Sequence, residues 1–245
     1  MRNFIFLFLL FSAGCLLKSK REDSELPLVK PLITKNEDKG VKEILKLYGG
    51  QCEYGIGFST SNDNGKIRYF WLKLSKSEIV EAYVNLPQFP ASNVAYTFYK
   101  NLNEEKHMYD EIRSEIVFKN EPSSKLSYTF KQLEKVKIKL ATFNKCAALI
   151  KEQKYDSLQL LLNPDTSVIN YNKNEVINKI KEIDIMTGII KETVFYGFEF
   201  HHTENGSEIL HLTGLMIREK QDHAFSIDLD PNSHKIEIYT LGYDF

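Results

Sequence analysis

Apolar positions recur along this chain at intervals of three and four in some stretches and of two in others, and the switches between the two periods outline its elements. Val41, Ile44, Leu45 and Tyr48 predict a helix from about residue 39, which Gly49-Gly50 stops. Residues 51–60 and 66–74 read as a hairpin. Tyr54, Ile56 and Phe58 alternate, the Asn62-Asp63-Asn64-Gly65 tract turns, and Ile67 to Leu74 is rich in strand formers. Ser75-Lys76-Ser77-Glu78 is a capping-box pattern that predicts a helix opening at Ser75 and ended by Pro87 and Pro90. Val94, Ala95, Phe98, Tyr99 and Leu102 form the apolar face of a further helix, and residues 109–119 and 125–130 read as strands. Thr129 and Gln132 repeat the capping pattern before a long helix carrying Leu133, Val136, Leu140, Phe143, Ala147 and Ile150.

A short helix over 155–162, closed by Pro164, and a third over 173–186 follow, with Leu158, Leu161 and Leu162 on one side of the first and Val176, Ile177, Ile180 and Ile183 on one side of the second. The period then changes to two, predicting strands at about 190–202, 207–218, 222–229 and 235–242. Asn205-Gly206 reads as a two-residue hairpin turn, and Asp230-Pro231-Asn232-Ser233 turns the last pair. No helical crossover fits between these strands, so they should form an antiparallel meander with helices on one face. The fold class expected is α+β: a small domain over 38–130, then a second over 131–245. The run from Lys145 to Leu158, with the helix and long strands after it, resembles the NTF2-like cone fold, a family defined by shape rather than by a catalytic motif. That likeness implies helices packed on a curved four-stranded sheet whose concave face forms a pocket. A cystatin-like sheet wrapped around a helix is the competing architecture.

Composition narrows the partners. Of 245 residues, 32 are basic and 33 acidic, for a formal charge of -1, and without a basic patch nucleic acid is not an expected partner. At the N-terminus Arg2 precedes an unbroken apolar run from Phe4 to Phe11, and Ser12, Ala13 and Gly14 lead into Cys15. That is a signal-peptide layout, and the run is far short of the roughly 20 residues that span a bilayer as a helix. With Cys15 immediately after the small residues, it is similar to the lipobox of bacterial lipoproteins, although Ser12 stands where that family prefers leucine. The resemblance implies removal of residues 1–14, lipidation of Cys15 and an N-terminal lipid holding the chain at a membrane. Residues 15–37 then read as lipidated cysteine and tether, and loss of Arg2 brings the charge to 31 minus 33, or -2. Outside the cytoplasm Cys52 and Cys146 could form a disulfide or remain unpaired thiols. The second is preferred, because Cys146 falls in a helical pattern and nothing in the sequence brings Cys52 beside it.

Candidate chemistry is sparse. If Asn205-Gly206 is a two-residue turn, His202 faces Ile209 and Phe200 faces His211, so Tyr196, Phe200, His202 and His211 share one side as an aromatic-walled pair of imidazoles. His201 and His202 point to opposite faces and cannot ligate one ion together, while His223, Asp228 and Asp230 have no metal spacing; neither a metal nor a cofactor is expected. Gly55-Ile56-Gly57 lacks the context of a dinucleotide loop and reads instead as relaxing a twisted or close-packed strand. Ser59-Thr60-Ser61 has no nucleophile-elbow context. Tyr96, Phe98 and Tyr99 with Pro87, Phe89 and Pro90 could rim a peptide or glycan groove, although such a stripe at helical spacing is more commonly core. Glu104, Glu105, Asp110 and Glu111 read as a solvated acidic loop. The function expected is non-catalytic binding or scaffolding at the cell envelope, with a protein, peptide or glycan partner; the alternative is a small-molecule enzyme using a histidine pocket.

Overall fold

A computed structural model describes residues 33–61, 65–163, 172–204 and 206–244. Cys15, Asn62 to Asn64, Pro164 and Asn205 therefore lie outside the described residues, as does the expected leader. The first helix, α1 (Lys35–Tyr48), starts earlier than its apolar period shows, because Thr34 caps it. The Thr34 hydroxyl accepts from the Glu37 N–H, and the Glu37 carboxylate accepts from the Thr34 N–H at 2.7 Å. The expected tether thus gives way to helix at residue 35 rather than 38.

Gly49 and Gly50, at φ 65° and 71°, turn the chain into the predicted hairpin of β1 (Gln51–Ser61) and β2 (Gly65–Ser75). The next helix does not open at Ser75. Lys76 occupies the left-handed region at φ 55°, so the chain turns there and Ser77 becomes the cap of a single turn, α2 (Glu78–Glu81). Its hydroxyl donates to the Tyr48 carbonyl at 2.6 Å, fastening α1 to the start of α2. Pro87 and Pro90 do not end a helix but begin one. Pro87 is the cap residue of α3 (Gln88–Asn101) and Pro90 lies in its first turn, where no N–H is required of it.

A short 3-10 turn (Glu104–Met108) leads to β3 (Glu111–Ile116) and β4 (Ser124–Thr129). β3 runs parallel to β2, with α3 in the crossover, and the sheet order is β1-β2-β3-β4. Phe70, Leu72 and Leu74 of β2 and Ile112 and Ile116 of β3 point inward and are fully buried; Val94, Ala95 and Phe98 of α3 are equally enclosed. The helix is also bonded to its surroundings. Ser114 donates to the Ala91 carbonyl at 2.8 Å, and Ser92 accepts from the Phe198 N–H of the second sheet at 2.8 Å.

The Thr129–Gln132 capping box opens α4 (Phe130–Lys151) as predicted, followed by α5 (Tyr155–Gln159) and α6 (Lys173–Thr187). β5 (Ile190–His202), β6 (Glu208–Arg218), β7 (His223–Leu229) and β8 (Thr240–Asp244) form an antiparallel meander in that order. Phe143 of α4 packs against the rings of Phe195 and Phe225 and directly over Gly214, where an added Cβ would sit 2.8 Å from the ring. β8 begins at residue 240, later than expected. Ile238 pairs instead with the segment after α5, donating to Leu161 O and accepting from Asn163 N, both at 2.8 Å, and this bridge delays the ladder.

The β5–β6 register also differs from expectation by one residue. Thr203 N donates to Ser207 O and Gly206 N to Thr203 O, both at 2.9 Å, so three residues rather than two separate the closing pair, with Gly206 at φ 83°. His202 therefore faces Glu208, Phe200 faces Leu210, and His211 faces Glu199. A bulge between Phe195 and Gly197 sets Tyr196 out of the ladder. All described residues belong to one compact unit, and a single apolar core runs across residues 130 and 131 from Phe70 and Phe98 to Phe143 and Phe225.

Candidate functional site

The one-residue slip decides the fate of the predicted histidine pair, because strand residues alternate in face. Phe200 and His202 share a side with Leu210, Leu212 and Phe198, whereas His211 lies on the opposite side with Glu199, Asp228 and Thr240. Tyr196 and His211 do approach a common neighbour: the Phe89 ring lies 6.4 Å from Tyr196 and 5.8 Å from His211. Phe200 packs edge-on to Phe198, and His202 is exposed.

Around His211 a polar row crosses the sheet. His211 Nδ1 is 2.7 Å from Asp228 Oδ1, Thr240 donates its hydroxyl to Asp228 Oδ2, and Glu199 stands directly opposite His211 on β5. Burial pushes the Asp228 carboxyl up, but the hydrogen bonds from His211 and Thr240 outweigh it and hold the group below the usual carboxylate range. With Nδ1 donating to Asp228, Nε2 would carry the lone pair of a base. A relay for nucleophilic catalysis needs a hydroxyl at the imidazole. Here the hydroxyl is bonded to the far oxygen of the carboxylate, so the row orients and polarises His211 without activating a nucleophile.

A different surface has the form of a binding site. On the face of the first sheet turned away from α3, β2 presents Tyr69 and Trp71, β3 presents Arg113 and Glu115, and β4 presents Lys125 and Ser127; these line a groove of about 440 Å³. The hairpin register sets Trp71 opposite Gly55 and Tyr69 opposite Gly57. A Cβ on Gly55 would come within 2.7 Å of the indole, and one on Gly57 within 2.4 Å of the phenol ring, so both aromatic rings rest on bare strand backbone. The close-packed strand expected of Gly55-Ile56-Gly57 is thus a bed for two rings. The Arg113 guanidinium lies 3.5 Å over the Tyr69 ring, donates to Glu111 at 2.6 Å and to Ser59 Oγ at 2.9 Å. Lys125 pairs with Glu115 at 3.5 Å. Trp71 is half-buried, and among the described residues no ring or cation stacks on it and no acceptor meets its indole N–H.

The remaining candidates are structural. Phe98 and Tyr99 are buried and belong to the core, whereas the half-buried Tyr96 lines a smaller groove of about 320 Å³ with Asn93, Thr97 and Phe195. Glu105 is not solvated: it is buried, which pushes its carboxyl up, but hydrogen bonds from Thr34 first, then from the backbone N–H groups of Glu105 and Asn103 and from Asn36 Nδ2, outweigh this and hold it down to about 2. The disulfide is not formed. Cys52 on β1 and Cys146 on α4 are both free thiols, and burial pushes Cys52 up to about 12 and Cys146 higher still. His223 is buried and its Nδ1 accepts from the Arg218 guanidinium at 3.2 Å. Among the described residues no three of His, Cys, Asp or Glu gather as a metal centre.

Sequence reasoning missed Trp71, Tyr69, Arg113, Glu115, Lys125 and Ser127. The signal was present in the hairpin: a Gly-x-Gly strand paired through the turn at residue 65 to Tyr-x-Trp. No family model matches the chain, and no characterised protein or solved structure matches it.

Proposed function

We propose that the protein is exported, held at a membrane by a lipid on Cys15, and acts there as a non-catalytic binding module whose ligand seats on the outer face of the first sheet. The observation that carries the binding reading is Trp71, bedded on Gly55 at the wall of a 440 Å³ groove, a volume within the range of about 300–1,000 Å³ for ligand sites. The leader-like start and Cys15 support anchoring, and no helix among the described residues is long and apolar enough to cross a membrane. The second sheet with α4 to α6 is read as NTF2-like, supported by the order of three helices before an antiparallel meander. Two experiments test the reading. Cys15→Ser should abolish fatty-acid labelling and move the protein out of the detergent phase on partition; unchanged labelling rejects the anchor. Photo-cross-linking in envelopes should capture a partner with the wild type and lose it with Trp71→Ala; capture that survives the substitution rejects the groove.

A second reading, a small-molecule enzyme with His211 as general base, is favoured by the His211–Asp228 pair. Incubation with small-molecule extracts, followed by mass spectrometry, would replace the binding reading if a product forms with the wild type and not with His211→Ala.

A further inference from the structure

We infer that the groove over the first sheet takes a neutral oligosaccharide, an assignment that rests on the binding reading above and specifies its ligand. Sugar rings carry a C–H face that packs on an aromatic plane and an edge of hydroxyls that each donate and accept. The groove offers both. Gly55 puts no side chain between its backbone and the Trp71 indole, and among the described residues no ring or cation stacks on that indole, which leaves it for a ligand; the Tyr69 ring cannot serve in the same way, because Arg113 lies on it at 3.5 Å. One stacked sugar ring is therefore accommodated, and neighbouring units must be held by polar groups. The indole N–H and the Ser127 hydroxyl supply these, together with the Lys125–Glu115 pair.

Charge separates this occupant from others. Arg113 is matched by Glu111 and Lys125 by Glu115, so two cations meet two carboxylates and the surface carries no excess of either sign. A polyanion such as nucleic acid or a sulfated glycan would have to break those pairs to gain anything. A neutral saccharide inserts its hydroxyls beside them without a change in net charge.

Trp71 is the chain's only tryptophan, so its fluorescence reports on the site directly. The full chain, purified in a detergent without a sugar headgroup, is titrated with maltotetraose and chitotetraose as neutral probes, with heparin as polyanion and with a proline-rich peptide. Saturable fluorescence change with at least one neutral saccharide, and calorimetric affinity weakened about tenfold or more by Trp71→Ala, supports the assignment; tenfold corresponds to about 1.4 kcal/mol, the upper range for one aromatic stack. Ser127→Trp, which fills the groove from an exposed position, should abolish binding while leaving the circular dichroism spectrum unchanged, and it keeps the test open should Trp71→Ala fail to fold. Binding of heparin or the peptide in preference to both saccharides overturns the neutral-glycan assignment. If no saccharide binds but Trp71→Ala still eliminates the cross-linked envelope partner, the ligand class is wrong and the binding reading stands. If no saccharide binds and the cross-link persists in Trp71→Ala, both fall.

Discussion

Arg218 closes the second sheet from inside, and its replacement should be among the most damaging in the chain. Its side chain is 1% exposed and that of Asp184, its ion-pair partner on α6, is 8%. The guanidinium donates to the Asp184 carboxylate, the Gly188 carbonyl at 2.5 Å, the Tyr243 hydroxyl and His223 Nδ1 at 3.2 Å. Tyr155 and Tyr243 each donate to Asp184 at 2.6 Å. Arg218→Met keeps most of the stem volume, so little cavity forms; what is lost is the cation paired with the buried Asp184 carboxylate, along with donors to Gly188 and His223. Removing one partner of such a pair costs about 3–5 kcal/mol. At roughly 2–4 °C per kcal/mol for a domain of this size, Tm should fall by about 6–20 °C. In urea, with a slope of about 2–3 kcal/mol/M, the midpoint followed by circular dichroism should drop by about 1–2.5 M. The double variant Arg218→Met with Asp184→Leu removes both charges together and should recover most of the loss, to within about 2 kcal/mol of wild type. A single Arg218→Met that costs less than about 1 kcal/mol, or a double variant as unstable as the two singles summed, would refute the buried pair as a coupled unit.

Other expectations follow from the same physics. Gly55→Val drives a side chain into the indole and should cost about 1–3 kcal/mol while shifting the emission maximum of Trp71; an unshifted maximum would mean the ring does not lie on that strand. Gly206 has open space around it but sits at φ 83°, so Gly206→Val should lose about 1–2 kcal/mol through backbone strain alone, and an unaltered thermal midpoint would reject the three-residue turn. Burial, with the Arg218 charge, holds the His223 imidazole down to about 4, against an ordinary value of 6.5. Between those values the unfolded chain binds a proton that the folded chain does not, so stability from this group is present above pH 6.5 and is lost as the pH falls towards 4. His223→Gln should flatten that part of the stability profile, and a profile unchanged in slope would count against it.

What could be read from the sequence was mostly local. The Thr129–Gln132 cap, the α6 stripe of Ile177, Ile180 and Ile183, and the first hairpin lie where short-range chemistry is decisive, and the structure has all three. The parallel placement of β3 beside β2 depends on where α3 docks, which no short-range pattern encodes. Ser75 was a plausible cap until Lys76 turned left-handed, and Pro90 ends or begins a helix according to where the helix lies around it. The His202–His211 pair failed over one residue of loop: Asn205-Gly206 marked the turn, but Thr203 and Ser207 close it. At the groove, Gly55-Ile56-Gly57 marks a twisted or close-packed strand, and the structure selects the second. The rings packed upon them follow from the hairpin register, whereas Arg113 and Lys125 arrive from strands whose order was illegible.

α3 is a party wall. It closes the inner face of the first sheet while its Ser92 hydroxyl holds the Phe198 N–H of β5, and the β5 backbone at Gly197 comes so near that a Cβ there would lie 2.6 Å from the Phe89 carbonyl. Gene fragments ending near residue 130 would keep the wall but strip its far side, exposing apolar area to solvent, and fragments starting there would leave an edge strand bare for aggregation. Neither half could therefore be shuffled into another chain without carrying that helix along.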